Sequence, residues 1–365
     1  MTTARACAMV FDGPQRPLRL LEMDLPAPAA GELLVSVAMT TLCGSDLHTF
    51  QGHRSTTCPT VLGHEVLGTV AALPPGECMT DALNQPLTVG DRVTWSVVIH
   101  CGHCFFCRHN LPQKCEHLFK YGHEQLQSQH GPSGGLADFC HLKAGTTLFR
   151  VPDELDDRVA CPANCATATA RAALQAADIS EDSVVLIQGC GMLGLTASAM
   201  ARSCGAHEVI ICDVDKSRLR RAKQFGATHA IEIEPLGNRL QQIVAETTAN
   251  RGVDVALEMS GSPEALETGI DLLRIGGRFI LVGAVFPTRP VSLVAEKIVR
   301  KMLTIQGLHN YAPSHLADAL TFLQQHHREF PFATLVSKSF PLSEANAAFE
   351  FAVESGALRV SVCPD

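Results

Sequence analysis

The stretch VVLIQGCGMLGL, Val184–Leu195, decides the fold. A short apolar run rich in β-branched residues ends in Gly189, and Gly191 and Gly194 follow as the turn opens into the helix-prone segment 193–203. A GxGxxG spacing is weak evidence alone, but between a strand and a helix it reads as a dinucleotide-binding turn. The first glycine permits the tight turn, the second lets the backbone approach a pyrophosphate, and the third allows close helix–strand packing. The helix N-terminus then faces the anion, with Met192 and Leu193 completing the loop. Asp213 closes the next predicted strand, 24 residues after Gly189. A carboxylate there accepts hydrogen bonds from ribose hydroxyls and repels a 2′-phosphate, and Val214 follows where a basic residue would favour NADP. NAD is therefore the expected cofactor.

Working outward, the strand–helix alternation continues. Val209–Cys212 reads as a strand, 216–225 as a helix, and Val253–Glu258 and 278–282 as further strands. Such alternation predicts a doubly wound parallel sheet, an α/β fold. Upstream the pattern differs: glycine, proline and short β-like runs (33–39, 68–72, 93–99) predict an irregular, mostly β unit. An alanine-rich helix over 163–177 joins the two, and 315–327 reads as a late helix. The extended tail 358–362 is placed to return to the first unit. The expected division is 1–160 with 305–365 for the β unit and 161–304 for the dinucleotide unit.

The 365 residues are 46% hydrophobic and 18% charged, enough for a large core, with a formal net charge of −8. No basic stripe appears, which argues against nucleic acid as a partner. No apolar run approaches the length of a membrane span, and the N-terminal stretch MTTARACAMVFDG lacks the core of a signal peptide. The 15 cysteines are mostly scattered singly through apolar segments, which favours reduced thiols and a cytoplasmic setting over a disulfide framework.

Four of those thiols are clustered. Cys101, Cys104, Cys107 and Cys115 form Cys-x2-Cys-x2-Cys-x7-Cys in a lobe at about 98–120. Four thiolates close a tetrahedron around Zn²⁺ and leave no open position, so this set predicts a structural zinc. Its last gap fits bacterial iron–sulfur spacing poorly. A sparser set lies upstream: Cys43 in CGSDLH and His64 in GHE. A catalytic zinc needs three protein ligands and an exchangeable fourth position, and these residues supply two.

The motifs CGSDLH, GHEVLG (Gly63–Gly68), VGDRV (Val89–Val93), the four-cysteine lobe, GGLADFC (Gly134–Cys140), GCGMLG and LRVSV (Leu358–Val362) follow one another in this order. In that order and spacing the chain resembles the zinc-containing medium-chain alcohol dehydrogenases, including their polyol and threonine dehydrogenase branches, over essentially its whole length. The resemblance implies a GroES-like catalytic domain beside a Rossmann domain, and two zinc ions per chain with NAD⁺/NADH. The third catalytic ligand should precede the alanine-rich helix, where Cys165 is the candidate and Cys161 its competitor; polyol and threonine dehydrogenase relatives often carry glutamate there. Glu65 resembles a family residue that approaches the zinc, and Asp46 the carboxylate that orients the zinc-bound histidine.

The implied reaction is reversible oxidation of an alcohol to a carbonyl with hydride transfer to NAD⁺. Ser45 is placed by resemblance to take the hydroxyl proton and His48 to pass it to solvent. Arg218 matches a residue near the adenosine ribose, Arg359 one near the pyrophosphate, and Val282 and Gly283 backbone near the nicotinamide. The segments 111–124 and 307–320 resemble a subgroup associated with phosphonate catabolism and also terpene-alcohol relatives. They imply a small secondary or hydroxyalkyl alcohol, an anionic one included, with Tyr121, His123, His309 and Asn310 as pocket candidates. The alternatives are a zinc-independent quinone or enoyl reductase, against which Cys43 and His64 argue, and a non-catalytic protein of the same fold. The family usually forms homodimers or homotetramers through the edge of the dinucleotide sheet.

Overall fold

The computed structural model describes residues 5–127 and 130–365; the first four residues of the N-terminal stretch lie outside it. The chain divides into two compact units. One comprises the chain through Cys165 with Ala312–His327 and Phe332–Asp365; the other comprises Ala166–Tyr311 and Arg328–Pro331.

The second unit holds a six-stranded parallel sheet. Its spatial order is His229–Glu232, Glu208–Asp213, Val184–Gln188, Val253–Glu258, Leu273–Leu281, Thr304–Gly307. This is the order of the dinucleotide-binding fold, with the switch in direction beside Val184–Gln188. All five residues of that central strand are buried, because helices cover both faces of such a sheet. Helix Met192–Ser203 follows it directly. The segment 216–225 is not one helix. It breaks into Lys216–Leu219 and a tight turn, Ala222–Phe225, closed by Gly226 at φ 84°. The sixth strand carries the sheet past residue 304, the expected limit of this unit.

The first unit is built on a seven-stranded mixed sheet. Leu33–Thr41 lies at its centre, between Glu65–Ala72 on one side and Arg359–Cys363 with Phe139–Leu142 on the other. The tail does return here: Ser361 pairs with Thr41, and Thr41 pairs with Glu65. That double register sets Arg359 near Glu65, although 294 residues separate them in sequence. The predicted strand 93–99 is two strands, Arg92–Trp95 and Val98–Ile99, because the chain bends between them to enter the cysteine lobe. Trp95, Val35, Val66 and Leu142 are fully buried in the core beneath it.

Candidate metal and dinucleotide sites

Cys43 caps the short helix Gly44–Phe50, and the local sequence makes the cap do two jobs. Asp46 Oδ2 accepts a hydrogen bond from the Cys43 backbone N–H at 3.0 Å, the return half of a capping box. Its other oxygen, Oδ1, lies 3.1 Å from His64 Nδ1. With a carboxylate oxygen as its partner, His64 Nδ1 carries the proton and Nε2 is turned towards Cys165. His64 itself is held by its main chain, whose carbonyl accepts from Asn164 Nδ2 at 3.1 Å.

The Cys165 sulfur lies 3.4 Å from His64 Nε2, as does the Ser45 hydroxyl. One donor atom from each of Cys43, His64, Glu65 and Cys165 falls within 4.8 Å of all the others. Cys161, the competitor for third place, is buried elsewhere: its thiol sits 3.4 Å from the Met39 and Glu65 carbonyls. A tetrahedral zinc with sulfur and imidazole ligands has edges of roughly 3.3–3.8 Å, so two thiols and one imidazole at this spacing fit the ion.

Electrostatics agree with that fit. The hydrogen bond from Cys165 pushes the Cys43 thiol well below its usual range, against burial and with help from Arg359. Burial works against a charged His64, but the charge and hydrogen bond of Asp46, and those of Cys43, raise it to about 10. Zn²⁺ binds thiolates and a neutral imidazole, so metal binding at this set would release protons. Burial also opposes the Arg359 charge, yet Glu65 and Cys43 outweigh it and hold its pKa above the ordinary guanidinium range.

The Arg359 guanidinium is engaged within the first unit. Nε donates to Glu65 Oε2 and Nη2 to Oε1, both at 2.7 Å, and Nη2 also lies 3.5 Å from the Cys43 sulfur. Thr41 Oγ1 donates to the same carboxylate at 2.5 Å. Sequence reading missed this clamp because it depends on the register of three strands. Tyr121 is a core residue, 1% exposed, with its hydroxyl 2.5 Å from Thr146 Oγ1, and so lines no pocket. His123 stands with its ring 5.4 Å from that of His64. His309 and Asn310 belong to the second unit. His48 is half-buried, and burial first, then His53, lowers its pKa.

The four-cysteine lobe is compact. Cys101 and Cys107 sulfurs are 4.0 Å apart, and Cys104 and Cys115 sulfurs 3.9 Å. Tetrahedral Zn–S₄ has edges of about 3.8 Å, so the set fits a closed zinc site. Backbone N–H groups of Cys101 and His117 point at the Cys115 sulfur, each at 3.3 Å. A backbone hydrogen bond from Glu116 lowers Cys104 to about 6.

In the second unit the glycines divide their work as their surroundings require. A Cβ on Gly194 would stand 1.8 Å from the Gly189 carbonyl oxygen, so the helix packs this closely only with glycine there. Gly189 holds φ at 108°, in the region that favours glycine. A Cβ on Gly191 would meet nothing within 4 Å, leaving open the approach a pyrophosphate needs. Asp213 Oδ2 accepts from Cys190 N at 2.6 Å, fixing the loop to the strand that carries the acid. Arg218 is paired with Asp215 at 3.4 Å, and Val214 is exposed. Val282 and Gly283 both donate their backbone N–H to the Glu258 carbonyl at 2.9 Å. Met192 is buried and Leu193 half-buried at the helix start.

Comparison with known proteins gives the same picture. Residues 29–153 match the family described as alcohol dehydrogenase GroES-like domain, and 193–325 that described as zinc-binding dehydrogenase. A sorbitol dehydrogenase of Halalkalibacterium halodurans is 31% identical over 346 residues, 94% of each chain. A 5-exo-hydroxycamphor dehydrogenase of Pseudomonas putida is 30% identical over 363 residues, 98% of each. The crystal structure of an alcohol dehydrogenase from Thermotoga maritima superposes with a TM-score of 0.94 at 30% identity, covering 99% of this chain and all of that one. With two thiols and an imidazole gathered under a GroES-like sheet, and a glycine-rich turn heading a parallel one, the chain belongs to the zinc-containing medium-chain alcohol dehydrogenases.

Proposed function

We propose that this dehydrogenase oxidises a small secondary alcohol to a ketone, reversibly, with NAD⁺ as hydride acceptor. The carrying observation is the convergence of Cys43, His64 and Cys165 within 4.8 Å. When bound there, zinc would supply a Lewis acid that lowers the pKa of the substrate hydroxyl, and NAD⁺ a hydride acceptor. The chain's residues do the rest. Cys43, His64 and Cys165 would hold the metal. Asp46 fixes the His64 tautomer. Ser45 Oγ, 3.4 Å from His64 Nε2, receives the hydroxyl proton, and His48 passes it to solvent. The Arg359–Glu65 pair keeps a carboxylate beside the thiolates without adding net charge. Asp213, with exposed Val214 after it, supports NAD over NADP. A secondary alcohol also suits the relative named for 5-exo-hydroxycamphor, itself a secondary alcohol.

Zinc analysis with an NAD⁺-reduction assay tests this reading. The expected result is two zinc ions per chain, with Cys165→Ser reducing zinc occupancy and activity together. An active Cys165→Ser enzyme with unchanged zinc would overturn the ligand assignment. Absence of NAD⁺ reduction with every secondary alcohol tried would overturn the function.

Two further readings go with it. Both thiolate sets require reducing conditions, which supports a cytoplasmic setting; none of the helices in the described residues is long and apolar enough to cross a membrane. Copies of the chain pair through Thr304–Gly307, an exposed edge strand flanked by exposed Val299 and Met302.

A further inference from the structure

Side chains that hold a metal must first be held themselves. Asp46 ties two of the three ligands together, since one of its oxygens takes the Cys43 N–H and the other faces His64 Nδ1. That bond does not place Cys165, which is 101 residues from His64 in sequence. The Cys165 backbone is not helical: φ −134° and ψ −77° follow directly on the tight helical turn Cys161–Asn164. Its N–H donates to the Pro162 carbonyl at 3.3 Å, a long bond. Regular secondary structure therefore does not fix this ligand.

Asn164, the residue before it, is fully buried and reaches back to another ligand. Its Nδ2 donates to the His64 carbonyl at 3.1 Å and to the Trp95 carbonyl at 3.0 Å. Both partners are main-chain acceptors, so the amide can face them only with its nitrogen, and both hydrogens of that nitrogen are used. The two carbonyls belong to one frame. Thr94 Oγ1 donates to the Val66 carbonyl at 2.8 Å, and Val93 pairs with Gly68, so the strand ending in Trp95 is already joined to the strand that follows His64. On either side of His64 the carbonyls are held from elsewhere, Gly63 by the Gly135 N–H at 2.8 Å and Glu65 by Thr40 Oγ1 at 2.7 Å. Asn164 thus links the main chain of one ligand to the residue adjoining another. Cys165 Sγ stands 3.4 Å from His64 Nε2, within the edge length a tetrahedral zinc requires.

We propose that Asn164 is a positioning residue for the catalytic zinc: its forked amide sets the separation of Cys165 from His64, and with it the affinity and geometry of the metal. Aspartate has the same shape but turns oxygens on both carbonyls, and serine offers one donor where two are needed. The proposal rests on the reading of Cys43, His64 and Cys165 as the ligand set.

Zinc release from the loaded enzyme into a coloured pyridylazo-resorcinol chelator tests it, with the four-cysteine lobe as a control inside the same chain. The phase of release missing from Cys165→Ser belongs to the Cys43 set. In Asn164→Ala and Asn164→Asp that phase should run about tenfold to a hundredfold faster, the usual effect of removing a group that supports a ligand, while the lobe phase is unchanged. Co²⁺ in place of zinc should show altered visible absorption bands in the same variants, because those bands follow ligand geometry. Cys161→Ala removes the contact of the same turn with the Glu65 carbonyl but leaves the amide fork, so its release and its Co²⁺ spectrum should match the unsubstituted enzyme. Unchanged release and spectrum in Asn164→Ala overturn the proposal. So does equal acceleration of both phases, or equal acceleration in Cys161→Ala, since either marks general loosening. Unsubstituted enzyme that holds zinc only in the lobe overturns the metal-site reading itself, and this proposal with it. Asn164→Ser, with one donor left, should fall between, and it decides the outcome if near-UV circular dichroism shows the other two variants unfolded.

Discussion

At the residue scale, the metal set is held by partners that each answer two demands. Asp46 caps a helix with one oxygen and orients His64 with the other. Arg359 neutralises Glu65 and donates to the Cys43 sulfur. Glu65 is fully buried and Arg359 nearly so. A pair like this contributes little net stability when intact, but losing one member strands a buried charge. Arg359→Leu should therefore destabilise the first unit by about 3–5 kcal/mol, and chemical denaturation would measure it. A double variant, Glu65→Gln with Arg359→Leu, should recover part of the loss. If the single change costs under about 1 kcal/mol, the value of an exposed ion pair, the clamp is not as described.

At the element scale, the strand–turn–helix 184–203 shows how one spacing carries two unlike requirements. Gly194 is demanded by packing, since its Cβ would overlap the Gly189 carbonyl oxygen at 1.8 Å. A Cβ on Gly191 would meet no atom within 4 Å, so glycine there is demanded, if at all, by a ligand. Gly194→Ala should disturb folding of the dinucleotide unit, visible as a lowered melting temperature. Gly191→Ala should leave the melting temperature within about a degree or two, because a methyl group meets no protein atom there. Its effect should fall on NADH affinity, weakened about tenfold in a fluorescence titration, as one close contact is lost. Wild-type affinity in Gly191→Ala would mean that the pyrophosphate does not approach this turn.

At the scale of the whole molecule, the exposed strand Thr304–Gly307 has a sheet edge with no neighbouring strand among the described residues, a surface that pairs readily with another copy. Light scattering should give a dimer or a multiple of one, and Ile305→Lys should shift it towards monomer without loss of bound zinc. An enzyme monomeric at micromolar concentration before any substitution would refute the pairing. The parallel sheet, the β-rich first unit and both thiol sets were legible in the chain, because each depends on local spacing: alternation for strands, glycines for the turn, four cysteines within one lobe. The residues 229–232 and 304–307 were not read as strands, because each is only four residues long and its pattern is set by neighbours on the sheet. Cys43 and His64 could be named from sequence, but the choice of Cys165 over Cys161 rested on resemblance until their surroundings were seen. Two cysteines four residues apart look alike in sequence; only the fold turns one towards His64 and buries the other against the Met39 and Glu65 carbonyls. The same holds for Arg359 on Glu65. Sequence determined which chemistry the chain carries, since residue type and short-range spacing are properties of the chain itself. Tertiary structure decided which groups meet, since strand register brings distant residues within hydrogen-bonding reach.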